Sequence, residues 1–256
     1  MDNFGVQGSL PSHPRLLDYL AVRFVDQGWS VKGVLRELVL SRAFRRSTRA
    51  PDGLDEADPQ NLLLSHYPVR RLEAEAIRDG ILATSGELNA TLFGPPVPIH
   101  LTPFMKGRGR PKESGPLDGE GRRSLYISVR RNFLSPMMLA FDKPIPFSTF
   151  GRRNTSNVPA QSLTMLNDPF VAAQAEAWGE RLVEMAHATI EERVTHVYLR
   201  AVSRAPSAEE VSQAQAYLET AARDLGLPMS AIMDAASVWA AYCHAVFNLK
   251  EFIYLI

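Results

Sequence analysis

Five arginine pairs punctuate the sequence: Arg45-Arg46, Arg70-Arg71, Arg122-Arg123, Arg130-Arg131 and Arg152-Arg153. A guanidinium is a planar fork of donors that can bind a carboxylate or phosphate through two bonds at once. The candidate polar or anion-binding network is His13, Arg71, Glu75, Arg78, Asp79, Arg123, Arg152 and Arg153. If those side chains converge in one cleft, the chain is a ligand-binding or catalytic domain for an anionic or polysaccharide substrate. The alternative is structural: arginines that tie long loops to helices by donating to carbonyls and carboxylates. Glu73 and Glu75 stand two apart on an expected helix, on different faces, and make a poor acid–base pair by themselves.

The segment Lys106-Gly107-Arg108-Gly109-Arg110-Pro111-Lys112 resembles an AT-hook. In that motif an extended Arg-Gly-Arg-Pro core lies in the narrow minor groove of A·T-rich DNA, where arginine reads the enhanced negative potential. Arg108 and Arg110 would make the contacts. A single copy stands in a chain whose 28 basic and 28 acidic residues cancel, which argues against nucleic acid as a partner. The charge is uneven along the chain: net −1 over residues 1–105, +7 over 106–153 and −6 over 154–256. The basic middle and the acidic last third therefore either pair internally or face different partners.

Other chemistry is thinly represented. The histidines are His13, His66, His100, His187, His196 and His244, and no two are four apart, so no metal site is expected from helical spacing. There is no Gly-x-Ser-x-Gly elbow, no phosphate-binding glycine loop and no complete catalytic constellation. The one cysteine, Cys243, excludes an intrachain disulfide, a zinc ribbon and a Cys-x-x-Cys-His haem attachment within this chain. It lies in an apolar helix and reads as an inert buried thiol. No cofactor is expected in this chain.

The elements that must position these residues are mostly helices. The 256 residues are 45% hydrophobic and 22% charged, enough to bury a core without metal or disulfide. Ser12 and Pro14 open a helix carrying Leu16, Leu17, Leu20, Ala21 and Phe24, with Gly28 just beyond its end. Ser30 caps a second helix with Val34, Leu35, Leu38 and Val39 on one face. The short connection through Trp29 makes the two an antiparallel pair. Residues 47–61 read as a loop. A third helix is expected from about Val69 to Thr84, ending near Gly86, with Arg71 and Glu75, and Glu75 and Arg78, at pairing distance.

Residues 94–121 hold six glycines and six prolines, which no regular element tolerates. The alternation of Leu125, Ile127 and Val129 with polar residues is a short strand pattern. Asp168-Pro169 starts a helix running to about Ala186, and Thr189 to Glu192 and Ser207 to Glu210 are capping-box patterns. Pro228 and Ser230 open the last helix, carrying Trp239, Tyr242, Val246 and Phe247. Its apolar stretch, Ala235 to Leu249, is shorter than the roughly 20 residues that span a bilayer, so no membrane span is expected. The expected fold is mainly α, a multi-helix domain with one small β-hairpin or short strand element and a long Gly/Pro-rich loop. Its parts are 1–93, 94–121 (loop or disordered insertion) and 122–256, the first and last forming one continuous domain.

Several strings stand in a telling order. Pro11-Ser12-His13-Pro14 leads to Leu16-Leu17-Asp18, and Gly28-Trp29-Ser30 follows. Arg70-Arg71-Leu72 precedes Ala74-Glu75-Ala76-Ile77-Arg78-Asp79, and later come Arg122-Arg123-Ser124, Phe141-Asp142 and Arg152-Arg153. The last block is Pro159-x-Gln161-x-Leu163-x-x-Leu166-Asn167. Together they resemble the C-terminal domain of planctomycete-type cytochrome c domain proteins, domain-of-unknown-function family 1553. The resemblance runs from about Phe4 to the penultimate helix. It implies a module that ends large exported proteins, many with a haem-binding cytochrome c domain elsewhere, and no catalytic residue is carried over. Family members have an Asn-Arg-x-Trp segment upstream of the counterpart of Phe4-Gly5, so the chain reads as a C-terminal fragment. Its partners would be the missing upstream domains of the same polypeptide, with haem c on one of them and a periplasmic or cell-envelope location. No signal peptide is visible at Met1 to Phe4. The first reading is therefore a helical accessory or interaction module, with ligand binding and A·T-rich DNA binding as alternatives.

Overall fold

A computed structural model of the chain describes residues 5–147, 149, 151–186 and 189–256. Phe4 and His187 of the sequence analysis lie outside the described residues. The fold is mainly α, with one small two-stranded sheet, β1 (Arg70–Arg71) with β2 (Tyr254–Leu255). The chain divides into two compact units, Met1–Arg70 with Leu255–Ile256, and Arg71–Tyr254.

The first unit is built on α1 (Pro14–Asp26) and α2 (Val31–Leu40). Pro14 begins α1 as expected, but His13 rather than Ser12 holds the cap position, and Ser12 Oγ instead lies 3.0 Å from His13 Nδ1. Gly28 and Trp29 turn the chain with positive φ, and Ser30 Oγ accepts from the Gly33 amide to cap α2. Arg23 on α1 donates to Glu37 on α2 at 2.6 Å. A short helix, α3 (Leu54–Ala57), interrupts what the sequence marks as loop. Beyond it the Asp58 carboxylate accepts from the Leu62 and Leu63 amides and locks a turn. None of the α1 or α2 side chains is buried.

The second unit holds the core. It comprises α4 (Ala74–Ser85), α5 (Pro136–Ala140), α6 (Pro159–Asn167), α7 (Pro169–Glu184), α8 (Ile190–Val202), α9 (Ala208–Asp224), α10 (Ala236–Phe247) and α11 (Lys250–Ile253). α10 is mostly apolar, with Ser237 exposed and His244 its other polar residue, and is therefore central, lying along α7 with α8 and α9 against it. Trp178 and Phe247 meet at 5.3 Å between ring centroids, and Phe247 and Phe252 at 5.0 Å. The indole N–H of Trp239, fully buried, donates to the Ile232 carbonyl at 2.8 Å, so the core contains no unpaired ring donor at that point. Gly179 lets α7 approach the α10 backbone: a Cβ there would stand 2.5 Å from the Ala240 nitrogen.

The caps read from sequence are present. Asp168 accepts from the Phe170 amide, Thr189 from that of Glu192, and Ser207 forms a full capping box with Glu210. Three expectations are corrected. The third helix starts at Ala74, not Val69, because Arg70–Arg71 are extended in the sheet and the Leu72 amide donates to Ile253. No strand runs over 125–129. Ser124–Tyr126 is a 3₁₀ turn, Leu125 and Val129 are exposed, and only Ile127 pairs, in an isolated bridge to Val97. The backbone there is drawn into bonds with α4, described below, which leaves no room for a second ladder. The helix expected from Pro228 begins at Ala236, after a 3₁₀ turn over Met229–Ala231, and α11 follows it.

The Gly/Pro-rich segment is irregular but internally bonded. The Gly115 amide donates to the Ile99 carbonyl and the Leu101 amide to Ser114 Oγ. Ile99, Leu101 and Phe133 form a small second core.

Candidate functional site

α4 is the element that organises the polar residues of the second unit. Arg71, just before it, is buried and uses its whole guanidinium. Nη1 donates to the Ser156 carbonyl at 2.6 Å, and Nη2 to the Phe141 carbonyl at 3.2 Å and to Asp142 Oδ2 at 2.7 Å. Asp142 also accepts from the Ser156 amide and hydroxyl. These bonds outweigh the cost of its burial and hold its carboxyl below the usual carboxylate range.

Arg78 is likewise buried. It donates to the carbonyls of Arg122 at 2.9 Å and Asp118 at 2.5 Å and to Ser124 Oγ at 3.2 Å, with the Phe170 ring 5.3 Å beneath it. Burial lowers its pKa, and the charges of Asp79 and Asp118 oppose the shift. Asp79 accepts from both the amide and hydroxyl of Ser124, at 2.7 Å each, and Arg123 Nε lies 3.7 Å from its other oxygen. Arg153 forks onto Glu75 at 2.7 and 3.3 Å. Burial raises the Glu75 pKa, but the Arg153 bonds prevail and the net shift is downward.

The structure thus brings Arg71, Glu75, Arg78, Asp79, Arg123 and Arg153 to α4 and its flanks. Their partners are not those of helical spacing. Arg71 pairs with Asp142 instead of Glu75, and Glu75 with Arg153 instead of Arg71 or Arg78. Arg152 is exposed, and His13 belongs to the first unit. Arg122, not singled out individually, is buried, donates to the Thr91 and Phe93 carbonyls, and stacks 3.9 Å over Tyr126. In the AT-hook-like segment Arg110 closes a turn. Its amide donates to Gly107 and its Nε to the Met105 carbonyl, while Gly107 and Gly109 have positive φ. That is a folded conformation, in contrast to the extended core that a minor-groove contact uses. Arg108 is exposed.

Beside this network lies a cavity of about 440 Å³ that the sequence analysis did not reveal. Its walls are largely apolar, and Arg78, His100, Lys143 and Asp168 are the ionisable residues lining it. Burial pushes the Asp168 carboxyl up, against the opposing effects of its bond from the Phe170 amide and the nearby His100. Burial lowers the Lys143 pKa, against the attraction of Glu75. Asp168 was visible in sequence only as a helix cap, and His100 and Lys143 carried no pattern.

Cys243 is fully buried in α10, and burial raises its thiol pKa well above the ordinary value. Among the described residues, no three His, Cys, Asp or Glu side chains are grouped to hold a metal, and no helix is long and apolar enough to cross a membrane.

The model of the family described as PSD1, a protein of unknown function (DUF1553), matches residues 1–218 of the chain. No curated protein and no solved structure matches it.

Proposed function

The chain belongs to the DUF1553 family, and we propose that it serves as a helical accessory and interaction module of a multidomain, exported, cytochrome c-associated protein. The observation that carries this reading is the state of α1 and α2. Both are amphipathic, yet Leu16, Leu17, Tyr19 and Val22 of α1 and Val31, Leu35, Leu38 and Val39 of α2 all remain exposed. Within the first unit, Leu16, Tyr19, Leu20, Leu35, Leu38 and Phe44 border an open apolar trough of about 800 Å³. Exposed apolar surface of that extent marks an interaction site. The occupant we assign is an upstream segment of the same polypeptide, in keeping with what the family resemblance implies. Export and haem association rest on that resemblance alone.

The polar network supports the same reading. The guanidiniums of Arg71, Arg78 and Arg153 are bonded to carbonyls and carboxylates of this chain. They act as ties between an irregular segment and a helix.

The test compares this chain with the polypeptide extended through the upstream reading frame. Amide exchange over 14–40 should slow at least tenfold in the extended form, which should also show c-type haem absorbance. Equal exchange in the two forms would refute the interaction role, and an extended form without haem would refute the cytochrome association.

A further inference from the structure

The cavity in the second unit has a volume within the range of small-molecule sites, roughly 300–1,000 Å³. Its apolar wall includes Ile99, Ile127, Met138, Leu163 and Phe170. The four ionisable groups on it differ in how they are satisfied. Arg78 is bonded to two carbonyls and a hydroxyl. His100 Nδ1 lies 3.1 Å from the Gly115 carbonyl. Asp168 accepts from the Phe170 amide at 2.9 Å, and burial pushes its carboxyl toward the neutral acid.

Lys143 is different. It is half-buried, and its ammonium has no hydrogen bond or ion pair among the described residues. The carboxylates near it are already engaged: Glu75 by Arg153, and Asp142 by Arg71 and Ser156. A charge withdrawn from water costs free energy unless it finds a partner, and among the described residues the ammonium has only the attraction of Glu75, with no direct bond. The Lys143 ammonium is therefore open to a ligand anion, beside a wall that favours hydrocarbon.

We propose that this cavity binds a small apolar monocarboxylate, its carboxylate on the Lys143 ammonium and its hydrocarbon body against Met138, Leu163 and Phe170. The proposal is independent of the docking role of the first unit, since every residue it uses lies in the second.

Calorimetric titration of the whole chain with octanoate, octanol and octylammonium tests it. Octanoate should bind at least tenfold more tightly than either of the others. Lys143→Gln should reduce octanoate to the affinity of octanol. Leu163→Trp should weaken octanoate and octanol together by filling the space, and Leu163 is more than half exposed, so folding should survive. Cooperative thermal unfolding of each variant confirms that it is folded. Absence of octanoate binding, equal affinity for octanoate and octylammonium, or an octanoate preference that persists in Lys143→Gln would each overturn the proposal.

Discussion

Gly179→Ala adds one methyl group at the tightest helix contact in the second unit. The new Cβ would lie 2.5 Å from the Ala240 nitrogen and 2.8 Å from both the Ala236 oxygen and the Ala240 Cα. All of these are backbone atoms of α10, so no flexible side chain can give way. Restoring ordinary separation requires α7 and α10 to part by about 0.5–0.9 Å over a close-packed interface. Overpacking of this kind costs about 1–3 kcal/mol. Alanine recovers up to about 1 kcal/mol of that through its higher helix propensity. The net expectation is a destabilisation of about 1–2 kcal/mol, which for a chain of this size lowers Tm by roughly 2–8 °C. Gly80→Ala in α4 is the control, because its Cβ meets only the Phe252 ring, at 4.0 Å. There the propensity gain stands alone, and Tm should hold or rise by a few degrees. Thermal and urea unfolding followed by circular dichroism measure both. If Gly179→Ala is as stable as Gly80→Ala, the α7–α10 approach is not what glycine serves.

Arg71→Ala should cost about 3–5 kcal/mol in urea unfolding, because it removes a buried guanidinium, takes the cation from the Asp142 carboxylate and leaves the Phe141 carbonyl without its donor. Stability should fall in acid: Glu75 and Glu210 are held below their ordinary pKa values by arginine partners, Glu210 from 4.5 to about 2, and Asp142 by the Ser156 amide together with Arg71. A carboxylate with a depressed folded pKa contributes stability that is complete above its unfolded pKa and lost as pH falls through the folded one. The Tm should therefore drop as pH is lowered from about 5 toward 2. Asp168→Asn should be neutral or slightly stabilising at pH 7, since burial opposes its charge and asparagine also caps. Cys243 should resist alkylation at pH 8 in the native protein and react within the urea transition; native-state labelling at the rate of a free thiol would contradict its burial.

Short-range signals were legible in the sequence and long-range ones were not. Ser30, Asp168, Thr189 and Ser207 announce helix starts because a cap bonds an amide two or three residues on. The Ala235 to Leu249 stretch announces the central helix because its apolar residues, interrupted only by Ser237, His244 and Asn248, leave little solvent face. The arginines could be picked out by type, but Arg71 finds Asp142 across 71 positions and Arg153 finds Glu75 across 78. Helical spacing assigned them nearer partners, and only the folded chain shows that those spacings are not used. The 125–129 alternation misled because Ser124 is bonded to Asp79 and Arg122 is drawn under Tyr126, so the backbone turns where period-two spacing suggested a strand. Lys143 had no signal at all. Its ammonium has no hydrogen bond or ion pair among the described residues, a property of the fold rather than of the residue.

Arg78→Lys separates charge from geometry at the centre of this arrangement. The guanidinium spans the Asp118 and Arg122 carbonyls and Ser124 Oγ at once, with its carbon 5.3 Å from the centre of the Phe170 ring. An ammonium keeps the positive charge beside Asp79, but it is a point with three donors and cannot reach both carbonyls from one position. At least one of the two carbonyls then loses its charged donor, at about 1–3 kcal/mol, although that of Asp118 keeps the Gly121 amide. The damage should be local, because Asp118, Gly119 and Arg122 belong to a turn closed by the amides of Gly119, Gly121 and Arg122. Amide exchange over 118–124 should accelerate at least tenfold in Arg78→Lys while α9 exchanges as before. Unchanged exchange in that turn would mean that charge alone anchors it, and that the planar fork of Arg78 is not the tie between the irregular segment and α4.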